Sequence, residues 1–186
     1  MNFESVLELD ARLSNQMRVA EKPGALRAIA VFLAHSGDSW FWGAALIIAW
    51  FLSNSAWRKW EVVEFLGISL MAVLVMCIKF IVRRRRPEGE WGGIYRNTDP
   101  HSFPSGHAAR AFLIATLAVG LVPGWLVILL WVWAPLVAIA RVSMGVHYVS
   151  DIVAGAALGV VCGLIGIAIY QPLFTWITRL IGFSFW

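Results

Sequence analysis

The chain has 186 residues, 60% of them hydrophobic and 14% charged, with a formal net charge of +4. A soluble domain carries about 25% charged residues, so this composition excludes a freely soluble globular protein and predicts a one-domain polytopic membrane protein. The basic balance suits anionic lipid or an anionic substrate, and no feature calls for a nucleic acid.

Residues 1–20 mix charges with apolar residues and lack the continuous apolar core and small-residue cleavage site of a removable signal peptide. Residues 4–17 read as an amphipathic helix. Val6, Leu9, Leu13 and Met17 recur at helical spacing, with Glu8, Asp10, Arg12 and Arg18 between them, so the helix is expected in the plane of the membrane interface. Residues 25–33 are apolar but too short to cross, and they end in His35-Ser36-Gly37-Asp38. A shallow or re-entrant helix is expected there, with His35 and Asp38 in local turn hydrogen bonds.

Five apolar stretches follow as candidate membrane helices, at 40–52, 62–82, 108–122, 126–140 and 152–170. Some are shorter than the roughly 20 residues that span a bilayer, so their ends must extend or the membrane must thin. The last carries Gly155, Gly159, Gly163 and Gly166, a small-residue face for close helix packing. After Gln171-Pro172 a short interfacial helix with Trp176, Arg179 and Trp186 is expected. The predicted fold is therefore all-α: a bundle of about five membrane helices (39–170), preceded by interfacial helices (1–38) and followed by an interfacial tail (171–186). Trp40, Trp57, Trp60, Trp91 and Trp125 fall near helix ends as interface anchors, whereas Trp131 and Trp133 lie deeper, as packing residues. Cys77 and Cys162 sit inside apolar runs and read as small core residues, with neither disulfide nor metal spacing.

If the five helices alternate in direction, loop 83–106 and turn 141–147 share one membrane face. Three polar clusters gather there. Arg83-Arg84-Arg85-Arg86-Pro87 follows Lys79, and Lys79, Arg83 and Arg86 would share one helical face up to a helix end near Pro87. Such a run serves either as a positive helix flank or as a cationic cradle for phosphate. Pro104-Ser105-Gly106-His107 opens the next helix, as an N-cap or as an anion site of free amides. Arg141, His147 and Asp151 form the third cluster. His147 and Asp151 are spaced i, i+4, so a carboxylate can fix the imidazole tautomer. Together these supply cations, helix-end amides, two histidines and an orienting carboxylate, the inventory of phosphoryl transfer through a covalent intermediate.

The spacing K-x6-R-P, P-S-G-H and R-x5-H-x3-D, met by Lys79 with Arg86-Pro87, by 104–107, and by Arg141 with His147 and Asp151, resembles the phosphatidic acid phosphatase type 2 superfamily, to which vanadium haloperoxidases also belong. The resemblance covers about residues 60–170. It implies that Lys79, Arg86, Ser105, Gly106 and Arg141 bind phosphate, that His147 is the nucleophile with Asp151 as its partner, and that His107 is the general acid. It implies no metal and no cofactor. One departure stands out: Ala140 occupies the position where the family usually has Ser before the third-motif arginine, and Ser143 is a conceivable substitute donor.

The expected activity is hydrolysis of a lipid phosphomonoester or polyprenyl pyrophosphate in the bilayer. The rivals are a phosphotransferase using the same histidine and a non-enzymatic anionic-lipid binder or transporter. Arg110 is expected to snorkel to the interface or to touch a second phosphate, and His101 to lie in a loop at the mouth. Arg83–Arg86 and Arg96 on the motif face outnumber Arg58, Lys59 and Arg179 opposite, which by the positive-inside rule favours a cytoplasmic site. Resemblance to small bacterial members implies the reverse, a cell-membrane enzyme with its site outside the cytoplasm.

Overall fold

The structure, a computed structural model, describes residues 3–96 and 99–182. Its elements are helices: α1 (Phe3–Gln16), α2 (Ala25–His35), α3 (Ser39–Leu52), α4 (Ser55–Val82), α5 (Glu90–Arg96), α6 (Gly106–Leu117), α7 (Gly124–Ser143) and α8 (Val149–Ile181). Three stretches, Trp57–Val82, Gly124–Ser143 and Val149–Leu180, are long and apolar enough to cross a membrane. Their outer faces are apolar and uncovered, as at Leu70 (71% exposed) and Ile81 (80% exposed), the pattern of helices solvated by lipid.

The short helix α6 is the axis. Its 12 residues rise roughly 18 Å, well under the hydrocarbon thickness of about 30 Å, but α4, α7 and α8 surround it and most of its side chains are buried. Alanines at 108, 109, 111 and 115 keep α6 thin, and the glycine face of α8 meets it. A Cβ at Gly155 would lie 2.6 Å from the Ser105 carbonyl oxygen, and one at Gly163 would lie 2.6 Å from Thr116 Cβ. The expected close-packing role of these glycines holds, and its consequence is that the start of α6 rests against the start of α8.

Three boundaries differ from expectation. The 108–122 helix stops at Leu117, because Gly120 takes a left-handed backbone (φ 81°) ahead of Pro123. The tail beyond Pro172 is not a separate interfacial helix; α8 runs through it to Ile181. Proline removes one backbone donor, but buried Phe174, packed with Val63 and Leu117, holds the helix on the bundle. Gly182 (φ 77°) then ends it, and Trp186 lies outside the described residues. Helix α5 was not expected, since Gly92-Gly93 disfavours helix. Arg27 fixes its first turn, pairing with Glu90 at 2.9 Å and stacking over Trp91 at 5.0 Å.

Helix α1 forms where its period predicts, with its faces reversed relative to a soluble helix. Asp10 and Ser14 are buried while Val6, Leu9 and Leu13 are exposed. The polar side docks on α8: Asp10 accepts the Ser150 N–H at 2.9 Å and Ser14 Oγ accepts the Val149 N–H at 2.9 Å. These are two of the helix-start donors that otherwise go unsatisfied, and the outward apolar stripe suits the interface.

Candidate active site

The three polar clusters converge at one end of the bundle, as alternating helix directions require. The arginine run does not continue α4. Arg83 adopts a left-handed backbone (φ 51°) and donates back to the Phe80 carbonyl at 2.8 Å, so the helix ends at Val82, short of Pro87. Lys79, Arg83 and Arg86 therefore do not share a helical face. The break turns Arg84 and Arg86 inward and leaves Arg83 exposed.

Arg86 is buried and held at three points. Its Nε donates to the Asp99 carbonyl at 2.7 Å, Nη2 to Asp99 Oδ2 at 2.7 Å, and Nη1 to the Val146 carbonyl at 2.9 Å. Lys79 Nζ pairs with the same Asp99 oxygen. Burial pushes the Asp99 carboxyl up, but the Lys79 ammonium and the Arg86 guanidinium outweigh it and hold the group ionised, below its ordinary range.

His147 is buried between α7 and α8. Its Nε2 lies 3.2 Å from Arg86 Nη1. A guanidinium has donors only, so Nε2 must be the accepting nitrogen, with its lone pair exposed to that side. The proton then sits on Nδ1, which lies 3.4 Å from Asp151 Oδ2, just beyond hydrogen-bond length. Burial, reinforced by Arg86, Arg141 and Lys79, holds the imidazole well below its usual range, so it is neutral near pH 7.

Asp151 is set by the start of α8. Its Oδ2 accepts the Tyr148 N–H at 2.9 Å and its Oδ1 takes Arg84 Nη1 at 2.7 Å. Arg84 also reaches Asp10 of α1 at 2.7 Å and lies over the Tyr148 ring at 4.0 Å. Arg141, in the last turn of α7, is wholly buried, and its charge acts on both His147 and Arg86.

Ser105 is the N-cap of α6, its hydroxyl accepting from the Ala108 N–H at 3.5 Å, and its own N–H donates to the Asp151 carbonyl at 3.0 Å. Gly106 and His107 follow at the mouth of a cavity of about 210 Å³, whose wall also includes Lys79, Asp99, Arg110 and His147 and the apolar Met71, Val75 and Met76 of α4. Ser105, Arg86, Arg141 and Asp151 stand behind that wall. Arg110 does not snorkel: it is buried and donates to the Gly37 carbonyl. His101 bridges to Arg85 and meets the Phe80 ring edge-on. Ser143 is no substitute donor here. It and Ala140 line an apolar groove with Leu26, Ala30 and Leu33, on the other side of α7 from the cavity, and Ala140 packs among Ala20, Ala30 and Ala34.

Sequence reasoning missed Asp99, and it gave Asp38 its local turn bond but not its contact with His107. Asp99 reaches back to Lys79 from a loop with no periodicity. Asp38 makes the expected turn bond, one oxygen meeting His35 Nδ1 at 3.0 Å, and its other oxygen reaches His107 Nε2 at 2.7 Å. Burial favours its neutral form, but the bonds from His107 and His35 prevail and keep it ionised. The only signal available was an acid among the polar residues of the motif face.

Comparison with known proteins identifies the family. Residues 60–175 match the family described as the PAP2 superfamily. A decaprenylphosphoryl-5-phosphoribose phosphatase of Mycobacterium tuberculosis is 31% identical over 159 residues, 85% of this chain and 88% of that protein. A lipid A 1-phosphatase of Porphyromonas gingivalis is 33% identical over 124 residues, 65% of this chain but only 26% of that longer protein. The crystal structure of a transmembrane PAP2-type phosphatidylglycerolphosphate phosphatase from Bacillus subtilis superposes with a TM-score of 0.73 at 25% identity, over 90% of this chain and 87% of that one. With the family's match spanning most of the chain, and its helices long and apolar enough for a bilayer, the protein is an integral membrane member of the PAP2 superfamily.

Proposed function

We propose that this chain is a phosphatase that removes phosphate from a lipid-borne phosphoester or diphosphate in two steps, through a phosphohistidine on His147. The observation that carries the reading is the state of His147: a neutral imidazole whose Nε2 is fixed as the lone-pair nitrogen by Arg86 at 3.2 Å, in the wall of a cavity shared with Lys79 and His107. In the first step an incoming phosphate oxygen takes over the Arg86 Nη1 donor, and the Nε2 lone pair so released attacks phosphorus. Positive charge grows on the ring and is met at Nδ1 by Asp151, which a small tightening from 3.4 Å brings into hydrogen-bond range. Lys79, Arg86 and Arg141, with Ser105 and the amides at the start of α6, stabilise the non-bridging oxygens. His107 protonates the departing oxygen. In the second step His107 takes a proton from water, which attacks phosphorus and releases inorganic phosphate.

The cations of the cradle supply the charge that a metal supplies elsewhere, so turnover is expected to survive chelators. The apolar strip Met71, Val75 and Met76 beside the cradle favours a substrate with a phosphate head and a hydrocarbon tail, because both are accommodated in one cavity. The relatives named above act, by their names, on polyprenyl or lipid phosphates, which supports the same class here. The test is phosphate release by purified, detergent-solubilised protein from phosphatidic acid, phosphatidylglycerol phosphate and polyprenyl diphosphate, with His147→Ala alongside. A loss of about 10⁴-fold or more is expected in the variant. Release that persists in His147→Ala would rule out the nucleophile.

A further inference from the structure

We infer that Asp38, in the turn between α2 and α3, is the positioning residue of the proton donor His107: it holds the ring through Nε2, favours the imidazolium form, and leaves Nδ1 to serve the leaving oxygen. The inference rests on the phosphoryl-transfer reading above. Asp38 lies outside the residues that match the family, and 69 residues before His107 in the chain.

The first argument is what Asp38 does not do. It occupies the N-cap position of α3, where an aspartate side chain ordinarily accepts a helix-start N–H. No such bond is made. Both carboxylate oxygens go to imidazoles instead, Oδ1 to His107 Nε2 at 2.7 Å and Oδ2 to His35 Nδ1 at 3.0 Å. A residue kept for the turn alone would cap its helix.

The second argument is that the turn is anchored on the site. Arg110 of α6 donates to the Gly37 carbonyl. Trp42 Nε1 donates to the Ser36 carbonyl at 2.9 Å and Trp133 Nε1 to Ser36 Oγ at 2.8 Å. Gly37 sits so close that a Cβ there would meet Val137 Cγ1 at 3.0 Å and the His107 ring at 3.6 Å. Three elements thus fix Asp38 against the imidazole, and it does so from behind: His107 lines the cavity and Asp38 does not.

The third argument is charge. Burial first, then Arg141 of α7 and Arg110 of its own helix, push the His107 imidazole well below its ordinary range; from the α2–α3 turn Asp38, itself bonded to His35, works against them and favours a proton on the ring. Lys79, Asp99 and His147 face it across the cavity. A proton donor that burial and guanidiniums both disfavour depends on a carboxylate to offset them, and Asp38 is the one in contact. The proton balance closes. His147 Nε2 forms the P–N bond as the ester P–O bond breaks, and the leaving oxygen takes the Nδ1 proton of His107. The ring is left neutral with its Nε2 proton still shared with Asp38. When water attacks and the P–N bond breaks, Nδ1 recovers a proton from that water.

The experiment compares two substrates of the full-length protein in detergent micelles: dioctanoyl phosphatidic acid, whose alkoxide must be protonated to leave, and a 4-nitrophenyl phosphate bearing an alkyl chain, whose phenolate leaves without a proton. In Asp38→Asn, kcat/KM for phosphatidic acid should fall about 10- to 100-fold, its alkaline limb should move down by about one pH unit or more, and the aryl substrate should be little affected. Asp38→Glu should recover part of the loss. Vanadate binding, which needs the cradle but not the proton donor, reports that the variants are folded; if Asp38→Asn does not fold, the ratio between the two substrates in Asp38→Glu carries the same decision. Equal losses on both substrates, or no loss on phosphatidic acid, would overturn the inference while leaving the phosphatase standing. A wild-type protein silent on both substrates would overturn both.

Discussion

Lys79 and Arg86 close on a single oxygen of Asp99, so a carboxylate occupies the place where the proposed reaction puts a phosphate oxygen. An incoming phosphate must displace that internal anion, and the same anion slightly offsets the cations that keep His147 neutral. Asp99→Asn removes one negative charge and keeps the shape. Vanadate, which mimics the five-coordinate state, should then inhibit about tenfold more tightly, a difference of roughly 1.4 kcal/mol. The sign for pH follows from His147. With its pKa lowered, the proposed nucleophile is neutral at all pH above that value, so the acid limb of kcat/KM should lie below the ordinary histidine range of about 6.5, and should move lower still in Asp99→Asn. An acid limb at or above pH 7 would contradict the environment assigned to His147. At this scale the sequence shows residues whose partners are near in the chain, such as His147 and Asp151 one helical turn apart. It does not show Asp99 on Lys79 or Asp38 on His107, because those contacts depend on how distant segments pack and leave no periodic trace.

At the scale of elements, the glycines of α8 do two separable jobs. Gly155 lets α8 rest on the Ser105 carbonyl, at the N-cap that leads into Gly106 and His107, whereas Gly166 faces the flexible end of Leu117, far from the site. A methyl at Gly155 pushes first against the Ser105 carbonyl, with the short, rigid Ala108 Cβ beside it at 3.1 Å, and one at Gly166 displaces a side-chain tip at 2.7 Å. Overpacking costs about 1–3 kcal/mol in either place. Gly166→Ala should therefore lower thermal stability and keep kcat/KM, while Gly155→Ala should lower both, since it moves the start of α6. Equal activity in the two variants, measured at a temperature where both are folded, would separate α8 packing from the site. The glycine repeat is plain in the sequence, as is the period of α1. What the period of α1 conceals is direction: its apolar stripe faces outward, and its buried Asp10 and Ser14 cap α8 beside Asp151. Hydrophobic periodicity locates a helix, but in a membrane protein it does not say which face is the inner one, because lipid and core are equally apolar.

For the whole molecule the open coordinate is its orientation in the membrane, and the fold changes how the charges bear on it. Of the arginines that tip a positive-inside count toward a cytoplasmic site, Arg84 is bound to Asp10 and Asp151 and Arg86 to Asp99, with Arg86 in the proposed cradle. Residues retained for the site are poor witnesses to insertion. Arg83, Arg85 and Arg96 remain on the motif face, equal in number to Arg58, Lys59 and Arg179 at the other end, so the count favours neither side. An outer-face site, which the resemblance to small bacterial members implies, is the orientation we propose, and labelling tests it. Glu88, exposed in the loop after α4, and Lys59, exposed at the start of α4, mark the two ends. In a protein with Cys77 and Cys162 replaced by alanine, a membrane-impermeant maleimide should label Glu88→Cys in intact cells and Lys59→Cys only after lysis. The reverse pattern would turn the site to the cytoplasm. Because the cavity opens beside α4 at one end of the bundle, it would also restrict the substrate to lipid phosphates of the inner leaflet, and an outer-leaflet polyprenyl diphosphate would then be out of reach.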